Sequence, residues 1–236
     1  MKDERSLQGK VALVTGGARR IGAAISRELA SRGGRVVVHY LHSEAGAIAM
    51  NRSLKNGVCS VRGDLSTPQG CEWVFREAQE WMGRVDLLVN NASRFESDES
   101  ADVNALRAVN LEAPLLLGRL MAEAGGEGGI IQMLDSRILR EAAAPFTIYA
   151  TTKRELAESV ERLAREYAPR LRVNGVAPGP VLAPEGAREA AGPLLSARRP
   201  TPEDVARSVA FLAEASSVTG QILFVDGGQH LVADPL

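Results

Sequence analysis

The sequence predicts a doubly wound α/β fold built on a seven-stranded parallel sheet, for three reasons. Short runs of aliphatic and β-branched residues alternate along the chain with longer segments of helical spacing. The short runs are mostly apolar on both faces, as strands buried inside a parallel sheet are. Glycines punctuate the alternation, for example Gly33, Gly57 and Gly83. The pattern predicts a Rossmann-type sheet with helices on both of its faces.

The predicted elements follow this alternation in order. The strands are short runs rich in Val, Ile and Leu, at residues 11–14, 35–39, 58–61, 85–89, 130–134, 171–174 and 222–225. The helices repeat apolar residues at helical spacing, at residues 20–32, 44–55, 68–82, 105–124, 148–167 and 202–212. Residues 178–200 fit neither pattern. A loop of that length is usually either disordered or a functional lid, and we predict a substrate lid.

Composition limits the classes of protein that the chain can belong to. Its 236 residues, 45% of them hydrophobic, suffice for one α/β domain over residues 1–236. A net charge of -1 predicts neither a nucleic-acid nor a membrane partner. Two unpatterned cysteines predict a reducing compartment and no metal site. With no apolar leader and no membrane-length apolar run, we expect a cytoplasmic protein.

A glycine-rich turn over residues 15–22 lies between the first strand and the first helix. Gly16 and Gly17 permit a tight turn and a close backbone approach. The N–H groups at the start of the following helix can bind a pyrophosphate. We therefore predict a dinucleotide site, and an ordinary βα turn is the alternative.

The end of the second strand indicates which dinucleotide binds. A carboxylate there would accept hydrogen bonds from the adenosine ribose and repel a 2′-phosphate. The sequence instead has His39, His42 and Ser43 in this region, and Arg19 and Arg20 in the nearby turn. This charge predicts NADPH rather than NADH, although His42 could be an ordinary surface histidine.

Tyr149 and Lys153 stand four positions apart in a predicted helix. Residues at i and i+4 share one helix face, so the ammonium can lie beside the phenol. A nearby cation favours the phenolate form. The pair predicts a nicotinamide-dependent reductase, and a solvated helix face is the alternative for the pair alone.

Taken together, these motifs resemble the short-chain dehydrogenase/reductase family over essentially the whole chain. The matching residues, in the family's order and spacing, are Thr15, Gly16, Gly22, Asp64, Asn90, Asn91, Ala92, Asn110, Tyr149, Lys153, Pro178, Gly179, Asp226, Gly227 and Gly228. The resemblance implies that Tyr149 donates a proton, that Lys153 binds the nicotinamide ribose and lowers the pKa of Tyr149, and that Asn110 positions a relay water. It also implies cofactor contacts from Gly16, Ile21, Asp64, Leu65, Asn91, Ala92, Ser93, Pro178 and Gly179.

Departures from the common family pattern are similar to the pteridine reductases. Arg20 and Ser93 stand where the family usually has glycine, and Phe95 follows shortly after Ser93. Asp135 stands near the place of the usual catalytic serine. The resemblance implies that a pterin lies between the nicotinamide and Phe95, with Arg20 reaching the ligand and the cofactor phosphate. It implies a substrate site of Arg20, Ser93, Phe95, Asp135 and Tyr149.

The position of the serine is ambiguous in the sequence. Asp135 precedes Tyr149 by fourteen positions, and the family's usual spacing is one shorter, which points to Ser136. Only one of two successive strand residues can face the site. A loop absorbs an inserted residue more readily than a strand changes register, so we expect the extra residue in the loop through 142–144 and Asp135 in the site.

The sequence thus predicts an NADPH-dependent reductase of a dihydropterin or dihydrofolate. Finding Ser136 in the site would favour a carbonyl or 3-oxoacyl reductase. A non-catalytic NADPH-binding regulator is a third class, but such proteins usually lack the tyrosine or the lysine. The resemblance also implies a homotetramer, with interfaces formed by the helices around Asn110 and at 149–167. The acidic residues at 96–99 are expected to repel the glutamate tail of a folate.

Overall fold

A computed structural model describes residues 6–54, 57–139, 145–182 and 194–232 of the chain. Its centre is a seven-stranded sheet of order β3-β2-β1-β4-β5-β6-β7, and every neighbouring pair is parallel. The strands are β1 (Val11–Val14), β2 (Arg35–Tyr40), β3 (Val58–Arg62), β4 (Leu87–Asn90), β5 (Gly128–Met133), β6 (Leu171–Pro178) and β7 (Ile222–Val225). The predicted fold class is confirmed.

Helices connect successive strands. They are α1 (Arg20–Ser31), α2 (Glu44–Leu54), α3 (Pro68–Met82), α4 (Val103–Arg107), α5 (Ala113–Glu123), α6 (Thr147–Glu166) and α7 (Pro202–Glu214). The single helix predicted over 105–124 is wrong in one respect, because a π-helical turn at Ala108–Glu112 separates α4 from α5. The centre of the predicted lid, residues 183–193, and the loop at 140–144 lie outside the described residues.

Each face of the sheet carries its own core, because side chains along a strand point alternately to opposite sides. Val11 and Leu13 join a cluster with side chains of α3, α5 and α6. Ala12 and Val14 join a second cluster with side chains of α1 and α7. This two-sided burial explains why the central strands are apolar at consecutive positions.

The site expected in such a sheet lies where the strand order reverses. β1 pairs with β2 on one side and with β4 on the other, so the chain crosses over between β3 and β4. Ligands of open parallel sheets bind at this switch point, beyond the carboxyl ends of the strands. In the described part of the chain, no helix is long and apolar enough to cross a membrane.

Candidate active site

The glycine-rich turn is fixed to the end of β4 by a network around Thr15. The Thr15 hydroxyl oxygen accepts hydrogen bonds from the backbone N–H groups of Asn91 and Ala92, both at 2.9 Å. In return, the Asn91 amide Nδ2 donates to the carbonyl of Thr15 at 2.9 Å and to that of Gly16 at 3.2 Å. The predicted cofactor residues Gly16, Asn91 and Ala92 therefore lie together at the switch point.

Two of the glycines are required by close backbone contacts. A Cβ atom at Gly22 would lie 2.2 Å from the carbonyl oxygen of Gly16. Gly16 itself has a φ of +62°, and a Cβ there would lie 3.1 Å from the Cα of Ala92. Larger residues at either position would separate the turn from α1 or from β4.

Arg20, the first residue of α1, has a φ of +52°, a conformation that no other non-glycine residue adopts in the described ranges. The left-handed region costs a residue with a Cβ roughly 1–2 kcal/mol relative to the right-handed one. A glycine at position 20 would avoid that cost, so the arginine side chain is present in spite of the backbone strain. Strained residues of this kind cluster at functional sites.

The side chain of His39 supports the glycine-rich turn through hydrogen bonds. This side chain is buried, and its Nδ1 accepts a hydrogen bond from the Gly16 N–H at 3.1 Å. Nε2 therefore carries the proton and donates to the Gly63 carbonyl at 3.0 Å. Burial lowers the pKa of His39 to about 4, so the ring is neutral at physiological pH. His39 was predicted to bind the cofactor, but its side chain instead orients the turn.

The remaining predicted cofactor residues surround the turn. Arg19, Arg20 and His42 are exposed, and Ile21 and Ser43 are half-buried. The Ser43 carbonyl accepts a hydrogen bond from the Ala47 N–H in the first turn of α2.

The other predicted cofactor residues lie at the ends of β3 and β6. At the end of β3, Asp64 accepts a hydrogen bond from the Ser66 N–H at 2.9 Å, which lowers the pKa of Asp64, and Leu65 is buried. At the end of β6, the Gly179 N–H donates to the Val225 carbonyl at 3.0 Å, next to the buried Pro178.

Tyr149, Asp135 and Lys153 meet between the end of β5 and the start of α6. The Tyr149 hydroxyl donates a hydrogen bond to Asp135 Oδ2 at 3.1 Å. Lys153 Nζ lies 5.9 Å from the centre of the Tyr149 ring and donates to the Met133 carbonyl at 2.9 Å. Ser136 is buried at the start of a 3-10 turn. It is thus Asp135 whose side chain the structure places against the tyrosine.

These three groups have displaced pKa values. Burial raises the pKa of Tyr149 well above its ordinary value, and the Asp135 charge raises it further. Burial also raises the pKa of Asp135, but hydrogen bonds and charge from Arg137 outweigh it, so the net pKa is lowered. Burial lowers the pKa of Lys153 to about 8. The pKa of Tyr149 is therefore raised, opposite to the lowering expected from Lys153, because desolvation and the Asp135 charge dominate.

Asn110 lies in the π-helical turn and is completely buried. Its Oδ1 accepts hydrogen bonds from the Arg94 N–H at 2.8 Å and the Ser93 hydroxyl at 3.1 Å, and its Nδ2 donates to the Arg94 carbonyl at 2.9 Å. π-helical turns often occur at functional sites. Here the turn directs the amide of Asn110 to the loop that carries Ser93 and Phe95.

Phe95 forms an aromatic wall beside the proton-transfer groups. Its ring stacks on Phe146 with centroids 4.4 Å apart and meets Tyr149 edge-on at 4.8 Å. The Arg137 guanidinium lies 5.4 Å from the Phe95 centroid and 5.5 Å from the Tyr149 centroid. Sequence reasoning missed Phe146 and Arg137, because only the fold brings them to Phe95.

The acidic stretch at 96–99 has a structural role that the sequence did not predict. The Asp98 carboxylate accepts hydrogen bonds from the N–H groups of Thr147 and Ile148, both at 3.0 Å. It thereby caps α6, the helix that carries Tyr149. Glu96 pairs with Arg94 at 2.8 Å. Arg94 offsets the charge of Glu96, whereas Asp98 keeps its negative charge, so the expected repulsion of a folate tail stays a prediction.

The comparisons with known proteins agree with this geometry. Residues 16–230 match the family model described as enoyl-(acyl carrier protein) reductase. An oxidoreductase of Methylorubrum extorquens is 35% identical, covering 94% of this chain and 98% of the relative. The 3-oxoacyl-[acyl-carrier-protein] reductase FabG of Vibrio cholerae is 31% identical, covering 96% of this chain and all of the relative. The chain belongs to the short-chain dehydrogenase/reductase family.

Among solved structures, the chain resembles the FolM alternative dihydrofolate reductase 1 of Brucella canis. The two share 34% sequence identity with a TM-score of 0.89, over 98% of each chain. That relative was crystallised with NADP. The protein is therefore an oxidoreductase by family, and its neighbours include a reductase of folate type.

Proposed function

We propose that the protein is an NADPH-dependent reductase of a dihydropterin or dihydrofolate, acting on a ring C=N bond. The observation that carries this proposal is the contact of Asp135 with the Tyr149 hydroxyl beside the Phe95 ring. A flat heteroaromatic ring gains about 0.5–1.5 kcal/mol from an aromatic partner beyond its burial. The Asp135 carboxylate orients the phenol that would donate a proton to such a ring. The similarity to a FolM protein supports the same substrate class.

The proposed cofactor is NADPH. It would bind across the carboxyl ends of β1, β2 and β4. The exposed Arg19, Arg20 and His42 provide positive charge for a 2′-phosphate, and no carboxylate lies in the segment from His39 to Ser43. Because His39 is neutral, the positive charge for the 2′-phosphate would come from Arg19, Arg20 and His42. The bound NADP of the Brucella relative supports the assignment.

The cofactor, when bound, supplies the hydride. The protein would supply the proton: the Tyr149 hydroxyl transfers it to the ring nitrogen while the adjacent carbon accepts the hydride. The product is the reduced ring, and the phenolate regains a proton from solvent. The high pKa of Tyr149 keeps it protonated before the reaction, as a proton donor must be. Lys153 would hold the nicotinamide ribose, and Asn110 would hold the Ser93 loop around the substrate.

A carbonyl or 3-oxoacyl reductase is the second candidate. The similarity to FabG and the description of the matching family model favour it. Tyr149 and Lys153 would serve a ketone equally well, since the carbonyl oxygen needs only one proton. Phe95, Arg20 and Asp135 are not required for this substrate.

A substrate panel with NADPH tests the two candidates. We expect dihydrobiopterin, dihydromonapterin or dihydrofolate to give a higher kcat/KM than acetoacetyl esters. Phe95→Ala should raise KM for the pterin several-fold, as expected from about 1 kcal/mol of stacking, whereas Phe211→Ala, an exposed phenylalanine on α7, should not. Efficient acetoacetyl reduction without pterin turnover would leave only the second candidate.

We further propose a homotetramer that uses the helices around Asn110 and α6. A groove between α5 and α6 is lined in part by Leu115, Leu116, Leu163 and Tyr167, and such a surface suits a second copy of the chain. Light scattering of the purified protein would measure the assembly, and a monomer at micromolar concentration would refute the proposal. The cytoplasmic location stays a prediction.

A further inference from the structure

Arg137 connects the acidic and aromatic parts of the site. Its Nε donates to Asp135 Oδ1 at 2.9 Å and its Nη2 to Oδ2 at 2.8 Å, while its backbone N–H donates to Oδ1 at 2.9 Å. The same guanidinium lies over the ring of Tyr149, 5.5 Å from its centroid. One cation therefore contacts both partners of the Asp135–Tyr149 hydrogen bond.

An aspartate beside a proton-donating tyrosine raises an electrostatic difficulty. Once Tyr149 has lost its proton, the phenolate oxygen would stand next to the Asp135 oxygen that was 3.1 Å away. Like charges at this separation disfavour ionisation, and burial strengthens the effect. A serine in the place of Asp135 would carry no charge and raise no such difficulty. The aspartate therefore needs a compensating cation.

The other charged groups facing Asp135 and Tyr149 leave that task to Arg137. Lys153 interacts with the Asp135 charge, but it forms no ion pair with that carboxylate: its Nζ donates to the Met133 carbonyl and lies 5.9 Å from the Tyr149 ring centre. Ser93 offers Tyr149 a hydroxyl without charge. A bidentate guanidinium is the geometry best suited to holding a carboxylate in one orientation.

We propose that Arg137 is the positioning residue that makes Asp135 compatible with proton donation by Tyr149. It neutralises the carboxylate and fixes its orientation toward the phenol. The inference rests on the proposed role of Tyr149 as proton donor and applies to either candidate substrate. It assigns a function to an exposed arginine that the sequence motifs did not mark.

A double-mutant cycle tests the proposal. Arg137→Gln alone should lower kcat roughly tenfold or more with whichever substrate the parent reduces, whereas in an Asp135→Ser background the same change should cost less than about threefold. The loss should also shrink at low pH, because protonation then neutralises Asp135 in place of the guanidinium. Arg137→Lys should recover part of the rate. Equal losses in the two backgrounds would overturn the proposal.

A measurement without turnover separates this inference from the proposed function. The 13C signal of the Asp135 carboxyl, assigned by its absence in Asp135→Asn, should titrate at higher pH in Arg137→Gln than in the parent. An unchanged titration would overturn the proposal even if the rate fell. If the titration shifted but the protein reduced none of the substrates, the electrostatic effect of Arg137 on Asp135 would stand and the proposed function would be refuted. Melting temperatures of all variants exclude misfolding as the cause.

Discussion

The two halves of the candidate site are held together by different chemistry. At the ends of β1 and β2, the turn is fixed by uncharged groups: the Thr15 hydroxyl, the Asn91 amide and the neutral ring of His39. At the end of β5 and the start of α6, the side chains are charged or titratable: Asp135 and Lys153 flank Tyr149. A change of pH or charge should therefore alter turnover far more than the shape of the cofactor half.

The largest expected effect is that of Tyr149→Phe, which separates the two halves most sharply. The change removes the transferable proton and leaves the packed ring in place, so kcat should fall by roughly 10²–10⁴-fold. The Kd for NADPH, measured by fluorescence titration, should stay within about twofold of the parent, since the turn at Gly16 is untouched. Turnover within about threefold of the parent would exclude Tyr149 as the acid.

The difference between the halves also explains what the sequence could predict. The strands and the turn follow from apolar periodicity and from glycines that are close in sequence, and all seven predicted strands are present. Tyr149 and Lys153 were found because their spacing on one helix is local. Arg137 and Asp98 were missed because the contact of Arg137 with the Phe95 ring and that of Asp98 with the start of α6 are set by tertiary packing.

Energetic properties were harder to predict than positions. The spacing of Tyr149 and Lys153 predicted a lowered phenol pKa, but burial reverses the direction. Burial depends on the whole fold and leaves no local pattern. The π-helical turn at Asn110 was likewise predicted as continuous helix, because one additional residue within a turn hardly changes the apolar periodicity over 105–124.

The next effect is pH dependence, confined to the charged half. The Lys153 ammonium has a pKa lowered to about 8, so the charged form is lost as the pH rises through that value. kcat/KM should fall above about pH 8, by up to about tenfold for each further pH unit. Because the Asp135 charge raises this pKa, Asp135→Asn should move the fall to lower pH. A flat profile from pH 7 to pH 10 would show that the charge of Lys153 is not needed.

Arg20→Gly should have a smaller effect, and on the cofactor half alone. The substitution relieves the strain of the positive φ of +52° but increases the conformational entropy of the unfolded chain. Because these two effects oppose each other, the free energy of unfolding should change by less than about 1 kcal/mol. Loss of one charge-assisted hydrogen bond to a phosphate should raise KM for NADPH roughly tenfold. Arg27→Ala, on the same helix, is the matched control. An unchanged KM for NADPH would remove Arg20 from the cofactor site.

The smallest effect expected is that of Asp98→Ala, which tests whether a distant contact supports the charged half. The carboxylate caps two N–H groups at the start of α6, and their loss should lower the melting temperature by a few degrees and let the first turn of the helix fray. Because Tyr149 lies in that turn, kcat should fall by about threefold with no change in KM for NADPH. Glu99→Ala, at the neighbouring exposed position, should leave both quantities unchanged. If Asp98→Ala instead weakened NADPH binding and spared kcat, the two halves would be coupled through this loop, and the division between a cofactor half held by uncharged groups and a charged proton-transfer half would be wrong.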